Sequence, residues 1–80
     1  MKILFFASLR ELMGDSIELD IQLPVSLETL RSEIQQAHPE HADYFRPSRT
    51  LAAVNQTIAQ DSQIINDADE VAFFPPVTGG

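Results

Sequence analysis

The sequence predicts an α+β fold in which a mixed, curled sheet of about five short strands packs on one main helix. Three observations lead there. Near-continuous apolar runs stand close to both ends, Ile3-Leu4-Phe5-Phe6-Ala7 and Val71-Ala72-Phe73-Phe74. Leu27, Leu30, Ile34 and Ala37 recur at helical spacing, and Ile17, Leu19, Ile21 and Leu23 alternate with polar residues.

Each element follows from local chemistry. The run Ile3 to Ala7, rich in phenylalanine and isoleucine, reads as a strand covered on both faces. Leu9, Leu12 and Met13 then have the spacing of a short helix from Ser8, with Gly14 where such a helix ends. Ile17 to Leu23 reads as a strand with one wet face, stopped by Pro24. Ser26 is a good N-cap and Glu28 sits near the positive end of the helix dipole, so the main helix starts there. It ends at His38, because Pro39 disfavours helical backbone in the residue before it. A weakly patterned helical turn from Glu40 to Phe45 follows. Leu51 to Val54 and Thr57 to Ala59 are short strands joined by a turn at Asn55-Gln56, where asparagine tolerates positive φ. Ile64-Ile65 anchors a loop to the core, and Asp67-Ala68-Asp69 turns into a last strand from Glu70 to Phe74. The likeness of the two terminal runs suggests that both sit in the middle of the sheet.

Composition narrows the function. At 80 residues the chain has room for one domain, burying roughly 60 to 65% of the surface that the unfolded chain exposes. It has no cysteine, which excludes disulfides, thiolate metal sites and a cysteine nucleophile. With 12 acidic and 5 basic residues the net charge is −7, which argues against nucleic acid and anionic membrane as partners. All the basic residues lie at or before Arg49, leaving Asp61, Asp67, Asp69 and Glu70 unopposed, so a basic partner surface is expected. No apolar stretch approaches the roughly 20 residues of a membrane span, and the reading is a soluble, cytoplasmic protein.

Beyond Phe74 the character changes. Pro75-Pro76-Val77-Thr78-Gly79-Gly80 cannot pair as a central strand, since consecutive prolines lack an N–H. The domain therefore reads as residues 1–74 and the tail as residues 75–80. Diproline favours polyproline II, which would let the tail project roughly 18 to 20 Å. Gly79-Gly80 offers a thin end for a narrow channel, with an α-carboxylate unhindered by a Cβ.

The segment Asp69-Glu70-Val71-Ala72-Phe73-Phe74-Pro75-Pro76-Val77-Thr78-Gly79-Gly80 closely resembles the end of MoaD-type proteins, the small sulfur-carrier subunits of molybdopterin synthase. Leu4-Phe5-Phe6-Ala7-Ser8-Leu9-Arg10-Glu11-Leu12 with Gly14, and Leu51-Ala52-Ala53-Val54-Asn55-Gln56, agree with the same family. The resemblance spans essentially the full length; Ala37 to Thr50 carries no motif and is expected to vary.

The resemblance implies a ubiquitin-like β-grasp fold and a mechanism. A MoeB-type, E1-like partner would use ATP to adenylate the Gly80 carboxylate. A sulfur donor would convert this transient glycyl adenylate to a thiocarboxylate, 1-thioglycine. The tail would then enter the active site of a MoaE-type large subunit and give its sulfur to cyclic pyranopterin monophosphate, building the dithiolene of molybdopterin. The chain is expected to bind no cofactor and no metal itself and to be no enzyme on its own, with the catalytic pocket in the large subunit of a heterotetramer.

Gly80 is thus the reacting residue. Phe74, Pro75, Pro76, Val77, Thr78 and Gly79 are expected to meet the partner, with Phe74 as anchor, because an aromatic beside a tail can fill a partner pocket. Phe73 and Phe74 point to opposite faces, so one of them is core. Ile58 is a weaker interface candidate by the same strand logic, with a core position favoured. Three other readings stay open: a carrier for thiamin or tRNA thiolation, a modifier joining Gly80 to lysines, and a plain interaction domain. His38 and His41 do not make a metal pair, since Pro39 breaks the helix that would align them. Asn55-Gln56 is assigned to turn geometry before chemistry.

Overall fold

A computed structural model of the chain describes residues 1–76. Its elements are β1 (Lys2–Phe5), α1 (Ser8–Met13), β2 (Ser16–Glu18), β3 (Val25–Ser26), α2 (Leu27–Ala37), a 3-10 segment (Pro39–Phe45), β4 (Leu51–Val54), β5 (Thr57–Ala59), β6 (Ile64–Ile65) and β7 (Val71–Phe74). The five-stranded sheet has the order β2-β1-β7-β4-β5, and β3 and β6 form a separate two-stranded ribbon. The two terminal runs lie side by side in the interior of the sheet and pair in parallel, Ile3 with Val71, Leu4 with Ala72 and Phe5 with Phe73. All other neighbours are antiparallel. A mixed sheet curled over one long helix is the β-grasp arrangement that the resemblance implies.

Strand parity builds the core. Ile3 and Phe5, Val71 and Phe73, and Ala52 and Val54 point to one face, where they bury against Leu27, Leu30 and Ile34 of α2. Phe45 closes this layer from the 3-10 segment, meeting Phe5 and Phe73 edge to face with both centroids 5.7 Å away. At that separation each aromatic pair adds about 0.5 to 1.5 kcal/mol beyond its buried area.

Local capping follows the sequence. The Ser26 Oγ accepts from Thr29 N–H at 3.1 Å at the start of α2, and His38 ends the helix with its N–H on Ile34 C=O at 2.9 Å. Gly14 ends α1 at φ 85°, a conformation that costs a side chain strain. Asn55 and Gln56 both have positive φ, 52° and 69°, giving the tight β4–β5 turn without a glycine.

Several expectations need correction. The strand expected over Ile17–Leu23 is only Ser16–Glu18. Leu19 N–H still reaches Met1 C=O at 2.8 Å, but the residues after it have no strand opposite, so Ile21 and Leu23 pack against the core from an irregular segment. Ala7 leaves β1 at φ 56°, and Glu70 precedes β7 rather than belonging to it. Ala37 is exposed rather than part of the buried stripe, and Gln35 meets the next segment, donating to Ala42 C=O at 3.0 Å. Of Ile64-Ile65, Ile65 is buried as expected, but Ile64 is 52% exposed and the pair forms the short strand β6 rather than part of a loop. The two-sided burial read for the first strand does not hold: Leu4 is half-buried and Phe6 is exposed.

One charged side chain belongs to the core. Arg31 lies one turn after Leu27 on the inner stripe of α2 and is 5% exposed. Its guanidinium stacks 5.3 Å from the centre of the Phe73 ring. It donates to Asp61 Oδ1 at 3.1 Å, Phe45 C=O at 3.2 Å, Thr50 C=O at 2.9 Å and the Thr50 hydroxyl. A buried charge is tolerated only when hydrogen-bonded in this way. Among the described residues no helix is long and apolar enough to cross a membrane.

Removing the guanidinium leaves the Thr50 and Phe45 carbonyls buried without a donor. Arg31→Ala is therefore expected to lower unfolding free energy by about 2 to 4 kcal/mol. Asp61→Asn, at a half-buried site, should cost less, and urea denaturation of both variants measures the difference.

Candidate functional site

The same parity that makes the core leaves the opposite face of the sheet open. Across the strands, register places Leu4, Ala72, Ala53 and Ile58 in one row. Phe74 stands beside it, opposite Leu51, and Phe6 continues β1 with its N–H bonded to Phe73 C=O at 3.1 Å. Two alanines make the floor and three large side chains make the walls of a groove of about 420 Å³, lined by Phe6, Ala53, Ile58, Ala72 and Phe74 with Gln56 and Glu70 at its polar rim. Ile58 is 66% exposed and Phe6 48%. An apolar surface of this kind, contiguous and rimmed by polar groups, is characteristic of a protein docking site.

Phe73 is fully buried and Phe74 half-buried, so the division read from alternation holds, and Phe74 is the residue that faces the groove. Ile58 is not core: β5 is the outer strand, and Ile58 sits opposite Ala53 on the face that no helix covers. Pro75 is half-buried and Pro76 exposed, and neither is in a strand. Val77, Thr78, Gly79 and Gly80 lie outside the described residues. Phe6 was not singled out in the sequence. The signal was its parity: with Ile3 and Phe5 facing the helix, Leu4 and Phe6 must face away.

The acidic segment divides into two roles. Asp61 is committed to Arg31. Asp69 accepts from Asn66 N–H at 2.7 Å and from the Asn55 side-chain amide at 2.9 Å. These donors, the Asn66 backbone first and the Asn55 side chain second, hold the Asp69 carboxyl below its ordinary value of 3.8. Asp67, Asp69 and Glu70 form no ion pair among the described residues, so three of the four carboxylates expected to face a basic partner keep their charge unopposed. His38 faces Glu40 at 3.8 Å and His41 meets the Tyr44 ring edge. No group of three or more His, Asp or Glu side chains is placed to hold a metal among the described residues.

A curled mixed sheet on one helix, with an apolar open face beside the end of its last strand, defines a ubiquitin-like β-grasp protein. Comparison with known proteins gives the family. The sequence profile of the ThiS family matches residues 3–80. The chain is 45% identical to the molybdopterin synthase sulfur carrier subunit of Escherichia coli over 80 residues, covering 99% of this chain and 98% of that protein. It is 38% identical to the corresponding subunit of Haemophilus influenzae, covering 100% of this chain and 99% of that one. A solved structure from Pyrococcus furiosus, described as a putative molybdopterin converting factor subunit 1, superposes with a TM-score of 0.78 at 28% identity, with 95% of each chain covered. A structure of subunits 1 and 2 of molybdopterin-converting factor in complex, from Helicobacter pylori, matches with a TM-score of 0.65 at 21% identity, covering 99% of this chain and 96% of that one, a likeness of fold. The chain belongs to the ThiS family and, within it, to the molybdopterin synthase sulfur carrier subunits.

Asp69 also sets an acid limit on stability. Because its folded-state pKa lies below the unfolded one, its contribution is complete above the ordinary value of 3.8 and is lost as pH falls through the lower folded value. Thermal unfolding scanned from neutral pH downward should show Asp69→Asn less stable than the parent at neutral pH, with the gap narrowing in that acid window.

Proposed function

We propose that the chain carries sulfur as a thiocarboxylate on Gly80 and delivers it while docked, through its open sheet face, to a MoaE-type large subunit of molybdopterin synthase. The observation that carries this reading is the double position of Phe74. It is the last residue of β7 and also a wall of the exposed apolar groove. A partner that covers the groove therefore holds the origin of the following residues at a defined point, which restricts where the last glycine can go. The subunit 1 and 2 complex named for the Helicobacter pylori protein supports a pairing of this kind.

In this reading residues 1–74 form the docking domain and residues 75–80 the delivery arm. A carboxylate resists nucleophiles until one of its oxygens is adenylylated and so becomes part of a good leaving group. Attack of the Gly80 carboxylate oxygen on the α-phosphorus of ATP, in a MoeB-type partner, expels pyrophosphate and leaves a mixed anhydride. Hydrosulfide-level sulfur from the donor system then adds at the carbonyl and expels AMP, leaving the thiocarboxylate. The thiocarboxylate is a soft anionic nucleophile at neutral pH, suited to attack on the pterin precursor in the large subunit. No step asks for a side chain of this protein as acid, base or metal ligand; catalytic groups belong to the partners. Glycine at the end removes the Cβ that would crowd both the adenylate and the attacking sulfur.

Docking and chemistry separate in experiment. Incubation with the MoeB-type enzyme, ATP and a sulfur donor should replace one oxygen by sulfur in the intact mass, and one residue added after Gly80 should abolish the shift. An unchanged mass, together with full synthase activity after deletion of Gly80, would contradict the carrier role. For the groove, Ile58→Ala is expected to weaken binding to the large subunit by about tenfold or more. Its unfolding free energy should change by about 1 kcal/mol or less, since the side chain is mostly exposed. Isothermal titration and urea denaturation give the two numbers.

A further inference from the structure

We propose that Asn55 is a positioning residue for the docking groove: its side chain latches the β4–β5 hairpin, which carries Ile58 and Gln56, to the Asp69-Glu70 segment that leads into β7 and Phe74. The ladder between β4 and β7 ends at the pair Val54 and Val71. One residue further on the chain turns away at Asn55, yet the bonding continues. Asn55 N–H donates to Glu70 C=O at 2.8 Å, and the Asn55 side-chain Oδ1 accepts from Glu70 N–H at 3.0 Å in the place a strand carbonyl would hold. The other half of the amide, Nδ2, donates to Asp69 Oδ1 at 2.9 Å. Asp69 is in turn fixed on Asn66, accepting its N–H at 2.7 Å and donating its own N–H to the Asn66 carbonyl at 3.0 Å.

The hairpin needs this latch. β5 is an outer strand, paired on one side only and over three residues, and its turn puts Gln56 at φ 69° without a glycine. Short edge hairpins under such strain open readily. The latch residues Asn55 and Asp69 each precede a residue of the groove's polar rim, Gln56 and Glu70. A loose hairpin would therefore move the rim and the Ile58 wall together. Apparent affinity falls by the fraction of molecules whose groove is formed, so a latch that keeps this fraction near one strengthens docking without touching the partner.

This role presupposes that the groove is the docking face. Asn55→Gly is the informative variant, because glycine keeps the left-handed turn while deleting the amide. In the free chain, amide exchange at Thr57–Ala59 should rise by about tenfold, for the loss of two side-chain hydrogen bonds, with Ile3–Phe5 unchanged. Affinity for the large subunit should fall about twofold, as when a groove formed in about nine molecules of ten becomes formed in about half, and this loss should multiply with that of Ile58→Ala, because one variant changes the formed fraction and the other the contact. Should the glycine variant fail to fold, Asp69→Asn, which leaves a donor where an acceptor is needed, should speed exchange at the same hairpin residues. Unchanged hairpin exchange in the folded variant, or an affinity for the large subunit equal to the parent's despite faster exchange, would overturn the proposal. Failure of the parent chain to bind the large subunit would instead overturn the docking reading, and the exchange comparison would still decide whether Asn55 holds the hairpin.

Discussion

The parallel pairing of β1 with β7 is the constraint on which the rest of the molecule depends. It sets the first and last strands side by side inside the sheet, with β2 flanking β1 on one side and β4 and β5 extending the other. With Ile3 against Val71 and Phe5 against Phe73, four large side chains point down onto α2, and Phe45 closes between the two phenylalanine rings. The same register sends Leu4, Phe6, Ala72 and Phe74 upward. Core and open face are two consequences of one alignment, and a slip of one residue would exchange them.

A chain of this size cannot cover both faces of a five-stranded sheet. It has one long helix, and that helix is spent on the lower face. Leaving Phe6 and Ile58 in water has a solubility cost that an ordinary monomer avoids by placing polar residues at such positions. Their presence makes sense if a partner covers the face for part of the working cycle. On the inner side Arg31 serves the opposite end: it joins α2, the 3-10 segment, the start of β4 and the loop holding Asp61 beneath the Phe73 ring. The strand that leads to residues 75–80 is thereby held from below by a charged hub and from its starting end by the Asn55 latch.

What was legible in the sequence was local chemistry. Ser26 and Pro39 mark the ends of α2, Asn55-Gln56 marks a hairpin, and the terminal apolar runs mark interior strands; each depends on neighbours in the chain. What was not legible depends on which surface lies across space. The continuous run Ile3 to Ala7 looks two-sided because its outward residues Leu4 and Phe6 are apolar although no second layer of the described residues covers them. Ile58 looked like core for the same reason. Arg31 sits at a helical stripe position, but a single arginine among polar neighbours gives no sign that carbonyls of Phe45 and Thr50 wait for it. Ile21 and Leu23 keep the alternation of a strand although no strand stands opposite. The C-terminal motif pointed to the sulfur chemistry, while the groove that would aim it became visible only in three dimensions.

The open face as the docking surface can be tested most directly with two isoleucines that are both exposed. Ile58 lies on the open face, and Ile64, 52% exposed, lies on the separate β3–β6 ribbon. With methyl groups labelled and the unlabelled large subunit titrated in, the Ile58 resonance should shift or broaden in step with complex formation while Ile64 stays in place. A complex that moves Ile64 and leaves Ile58 untouched would contradict docking through this face.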